Sequence, residues 1–168
     1  MINTKRLIYN EAEEDKEGVE MKITLSEEEK KRLGIESWSN TQARLYASDI
    51  AESVLFIYEH ICQRDARPRH AITTARNYAR MIELKAPESY IEEARQALIW
   101  ASEAAKEAAV EAILLDDPSA HCAASAAAHA ASLDDDMIFH AMAATYEARR
   151  AAFYARDEIL KKQKQEQA

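Results

Sequence analysis

At 168 residues, with a formal net charge of −8, two glycines and three prolines, the chain suits one domain with a real core. A chain of about this length hides roughly 70% of the surface that its unfolded form exposes. Abundant alanine, glutamate, arginine and lysine belong to long helices with short connections and leave little room for strands, and the acidic balance excludes a general nucleic-acid binder, which needs clustered lysine and arginine.

In chain order, Met1 to Arg6 runs into Leu7-Ile8-Tyr9, an apolar run too short for a signal peptide or a membrane span. A cytoplasmic location is the default expectation. Leu7-Ile8-Tyr9 and Met21-Lys22-Ile23-Thr24-Leu25 flank an acidic stretch from Glu11 to Glu20 that contains Gly18, a pattern read equally as a small hairpin or as a loosely ordered arm. Ser26 with Glu29 makes a capping box for a short helix that Gly34 closes. Residues 1–36 are therefore an N-terminal arm, and the helical bundle is expected over 37–160.

From Thr41, the spacing of Leu45, Ile50, Val54, Ile57, Tyr58 and Ile61 predicts a helix to about Cys62, capped by Ser39 or Asn40. Pro68 opens a second helix, with Ala71, Ile72, Ala75, Tyr78, Ala79 and Ile82 along one face, and Pro87 opens a third. In that third helix Ile91, Ala94, Leu98, Ala101, Ala105, Ala108, Ala112 and Leu115 alternate steps of three and four. Such a heptad seam predicts tight pairing inside a bundle, with a homo-oligomer interface through the alanine-rich helix as the alternative. Asp117-Pro118 opens an alanine-rich fourth helix to about 133, and Asp134-Asp135-Asp136 caps a last one through Phe153 and Tyr154. Residues 161–168 lack an apolar stripe and are expected to fray. The predicted fold class is all-α, a compact bundle of about five main helices.

The distinctive chemistry lies in Asp65-Ala66-Arg67-Pro68-Arg69-His70. Proline biases Arg67 away from helical angles and puts Arg69 in the first turn, so the two arginines should point in different directions. Asp65 is placed to accept from free amides of that turn or to pair with Arg69, anchoring the helix start. A recognition role for Arg67 as a fork for carboxylate or phosphate, and a catalytic Asp65/Arg67/Arg69/histidine set, are the alternatives. His121, His129 and His140 lack the i, i+4 step of a helical zinc pair and read better as hydrogen-bond bridges between helices, with no metal. Cys62 and Cys122 form no C-x-x-C pair and read as buried thiols. No phosphate-loop, dinucleotide or serine-hydrolase fingerprint is present, so no cofactor is expected.

From about Asn40 to Ala155 the chain resembles the helical immunity proteins of polymorphic toxin systems, the immunity-five-like family. The resemblance rests on Asp65, Arg67, Pro68, Arg69, Ala71 and Ile72, then on His129 and His140 in alanine-rich helices, and on a Tyr154-Ala155 ending. It implies a small cytoplasmic antidote that binds and blocks a bacterial toxin domain without chemistry of its own, and so a protein partner, with neither nucleic acid nor membrane. An inhibitor of a host defence protein, carried by a phage or mobile element, is the second interaction reading. A helical enzyme or small-ligand binder using Asp65, Arg67, Arg69 and the histidines is the competing class.

Overall fold

Two capping boxes set the first helix starts. Ser26 and Ser39 take extended backbone angles and accept from the amides of Glu29 and Gln42, whose side chains reach back to the cap amides. The computed structural model describes residues 26–166. In it α1 spans Glu27–Leu33, α2 Asn40–Ile61, α3 Arg67–Glu83, α4 Glu88–Leu114, α5 Pro118–Ala130 and α6 Met137–Glu166, with no strand among the described residues. Gly34, at φ 65°, closes α1 in the left-handed conformation that glycine adopts without a Cβ penalty, and a 3-10 turn over Ile35–Ser37 leads into α2. The all-α bundle therefore stands, with five long helices after the short α1.

The short helix of the N-terminal segment is docked. Ile35 is buried, Trp38 packs on Tyr46 with ring centroids 4.7 Å apart, and Glu29 pairs with Arg149 of α6 at 2.7 Å, both side chains nearly buried. The hairpin or arm expected over residues 1–25 lies outside the described residues.

The core is organised around α5, which packs against α2, α3, α4 and α6. A helix enclosed on four sides must be thin, because helix axes approach to about 8–10 Å only where the contact side chains are short. Ala120, Ala123, Ala124, Ala126, Ala127 and Ala130 have no exposed surface. The larger buried side chains come from the surrounding helices: Ile50, Val54, Leu55 and Tyr58 from α2, Ile72 from α3, Leu98 from α4 and Met137 from α6. Along the α4 seam Leu98, Ala101, Ala105, Ala108 and Ala112 are buried, whereas Leu115, just past the helix end, is exposed. The seam thus faces α3 and α5 inside this chain.

Caps explain the remaining boundaries. Asp117 accepts from the Ala120 amide at 2.8 Å and Asp136 from the Phe139 amide at 2.9 Å. At the far end of α5, the buried Arg44 of α2 donates to the carbonyls of Ala130, at 3.4 Å, and Ser132, and lies over the Tyr78 ring. A cation is favoured there by the negative end of the helix dipole, while burial pulls its pKa down to about 10. Over the described part of the tail expected to fray from residue 161, α6 continues to Glu166. Asp157–Lys161 and Glu158–Lys162 pairs, each at 2.6 Å with the acid four residues before the base, support that last stretch. None of the helices among the described residues is long and apolar enough to cross a membrane.

Because Ala105 is fully buried in the α4 seam, Ala105→Leu is expected to lower stability by about 1–3 kcal/mol through overpacking. A urea denaturation curve checks this, and an unchanged midpoint would contradict the seam.

Candidate functional site

The Asp65 motif lies where α2 ends and α3 begins. Pro68 is the second residue of α3 and is buried, and Arg67 is its first. The bias that proline exerts against helical angles at Arg67 is thus overridden. The reason is local: Asp65 accepts the Arg67 amide at 2.9 Å, doing the capping that Ala66 cannot do. The same carboxylate accepts Arg67 Nε at 3.0 Å and Nη2 at 2.6 Å, and the Tyr58 hydroxyl from α2. The other edge of the guanidinium meets Glu111 of α4, with Nη1 to Oε1 at 3.1 Å and Nη2 to Oε2, and Glu107 lies 3.9 Å away. Arg67 therefore ties the α2–α3 turn to α4.

Of the two partners expected for Asp65, the structure has the free amide of the first turn and not Arg69. Arg67 folds back over Asp65, whereas Arg69 projects to the α2 side and forks onto Glu59 at 2.6 and 2.7 Å. The two arginines do point in different directions, and His70 is exposed beside them. Hydrogen bonds from Arg67 hold the Asp65 carboxyl down at about pKa 2, and burial followed by the Asp65 hydrogen bond pushes the Tyr58 phenol well above its ordinary value. An open concavity of about 620 Å³, lined among others by Tyr58, Ile61, Asp65, Arg67, Glu111 and Leu115, covers this cluster.

The histidines form a separate group. His129 Nδ1 lies 3.1 Å from His140 Nδ1, linking α5 to α6, and His140 Nε2 is 3.0 Å from the Ser132 hydroxyl and 3.5 Å from Asp134. His121 Nδ1 donates to the Ala109 carbonyl at 2.9 Å, linking α5 to α4. Burial, and then the charges of His140 and Lys106, pull His129 down to about pKa 4, so its imidazole is neutral at pH 7. Among the described residues no three histidine, cysteine or acidic side chains are grouped to hold a metal ion.

Asp65 and Arg67 thus come together, while Arg69 turns to Glu59, His70 stays exposed beside them, and His129 and His140 do not join them. Arg67 meets α4 at Glu111, near the His121 end of α5, and the rise along α5 from His121 to His129 alone is about 12 Å. The two groups lie toward opposite ends of the bundle. Cys122 is buried, its thiol pushed up to about pKa 12 by burial and by Glu147, while Cys62 is half-buried at the end of α2. Sequence reasoning missed Glu107 and Glu111, the partners of Arg67. Their i, i+4 spacing on α4 is visible, yet nothing local connects them to a side chain 44 residues away.

A family model described as Imm-5 like putative immunity protein matches residues 34–168. No curated protein and no solved structure gives a match.

Asp65→Ala removes the acceptor of Arg67 and Tyr58 and is expected to cost about 1–3 kcal/mol with no partner present. Chemical denaturation checks it, and a neutral effect would contradict the latch. The pH dependence has two parts. Depressed Asp65 contributes fully above about pH 4, and its contribution is lost as pH falls toward its folded pKa of about 2. Depressed His129 acts at higher pH: the unfolded histidine takes up its proton below about pH 6.5 while the folded one resists down to about 4, so stability falls across that window. His129→Gln should flatten the pH 6.5–4 slope of the thermal midpoint, and an unchanged slope would contradict the assignment.

Proposed function

The chain belongs to the Imm-5 like family of immunity proteins, and on that premise we propose that it is an antidote that binds and neutralises a cognate bacterial toxin domain in the cytoplasm. The family match over residues 34–168 is the observation that carries this reading. The geometry supports it. Arg67 and Arg69 are engaged by carboxylates of their own chain, so the most distinctive motif acts as a latch between helices, and the histidine pair stands apart from it. The net charge of −8 suits a basic partner, since complementary fields speed encounter and add specificity.

The test is co-expression with candidate toxin domains found among the neighbouring genes. Growth should be restored by this chain, a stable complex should co-purify, and association should slow by about tenfold or more as salt rises from low to physiological. Loss of salt dependence alone would point to an apolar interface. No protection and no complex, together with a small molecule held at stoichiometric occupancy by the purified chain, would contradict the reading.

A further inference from the structure

The long helix α4 has one side in the core and one exposed side, which Arg67 meets at Glu107 and Glu111. Leu98, Ala101, Ala105, Ala108 and Ala112 mark the inward side. At 100° per residue the opposite side carries Glu92, Glu93, Glu103, Glu107 and Glu111, all exposed, and also the exposed Arg95 and Lys106, so that acids outnumber bases on it. Between these acids stand Trp100, Val110 and Leu114, 65%, 57% and 80% exposed. Arg95 is 3.4 Å from Glu92, and the charge of Lys106 acts on His129 of α5. Arg67 is shared by Asp65, Glu107 and Glu111, which leaves that end of the face with surplus negative charge.

A large exposed tryptophan flanked by acids has the make-up of a binding hot spot within a charged rim, because aromatic anchors bury the most area while the rim sets orientation and encounter rate. A second copy of this chain does not fit, since two such faces would set glutamates against glutamates. We propose that the outer face of α4 is the docking surface for the toxin, and that the toxin presents a lysine- and arginine-rich surface around an apolar recess that receives Trp100. The Asp65–Arg67–Glu111 latch then serves recognition indirectly, by fixing α4 to the turn beside it.

This inference rests on the toxin-neutralising reading, and the test separates the two. Affinity and association rate for the co-expressed toxin domain are measured for the wild type, for Trp100→Ala, for the pair Glu93→Lys and Glu103→Lys, and for a charge-matched control pair, Glu36→Lys and Asp135→Lys, away from α4. Trp100→Ala should weaken binding by at least about tenfold, mainly through faster dissociation. The α4 lysine pair should slow association by about tenfold at low salt, while the control pair stays within about threefold. Thermal midpoints are read alongside, so that if Trp100→Ala alone lowers stability, the lysine pair decides. Full binding by both α4 variants overturns this surface and leaves the toxin reading standing. A wild type that binds and protects against no toxin domain overturns both.

Discussion

Four helices can meet on α5 only because α5 presents little beyond Cβ. Its alanines at 120, 123, 124, 126, 127 and 130 have no exposed surface, and bulkier side chains there would push the surrounding axes apart. The rest of the packing follows from that thin centre. Volume moves outward to Ile50, Leu55 and Tyr58 on α2 and Leu98 on α4. The α4 seam is itself alanine-rich where it approaches α5, so two slender surfaces meet and their backbones come close. Helix propensity and packing agree here, since alanine is both the best helix former and the smallest side chain with a Cβ.

A core of small side chains carries little shape of its own, and polar ties at the periphery supply part of the register. Arg44 of α2 closes the C-terminal end of α5, His121 fastens α5 to α4, and Glu29 with Arg149 joins α1 to α6. The Asp65–Arg67–Glu111 set holds the α2–α3 turn to α4 at the end of the bundle where α5 begins. Breaking one member of such a tie leaves its partner charged and poorly compensated, which costs more than the intact pair contributes. If α4 is the docking surface as proposed, the latch connects the motif to function by one step, through the position of α4.

Much of this was legible in the sequence because helix boundaries depend on local chemistry. Ser26-x-x-Glu29, Gly34, Asp117 and Asp136 cap where their types predict, and the step-of-three-and-four seam in α4 faces the core as its period requires. What stayed hidden depends on pairing across long stretches of chain. Asp65 has two arginines within reach, and the fold gives it Arg67, which α4 also meets with Glu107 and Glu111, while Glu59 of α2 takes Arg69. In the same way Arg44 is one cationic residue in an otherwise ordinary stripe until Ala130 and Ser132 arrive beside it. The continuation of α6 beyond residue 161 reflects i, i+4 ion pairs rather than an apolar face, a weaker signal than hydrophobic periodicity.

With α4 as the proposed docking surface, the Asp65 motif and the surface that meets the partner are separate. The Asp65 motif and the histidine pair tie helices together, and in the proposal the exposed, acid-rich face of α4 with Trp100 at its middle does the recognising. Backbone amide chemical shifts recorded with and without the toxin domain test this division most directly. The account predicts that the largest changes cluster on α4 between Glu92 and Leu114, with smaller ones relayed through Arg67. Changes centred on His129 and His140, with α4 unmoved, would contradict it.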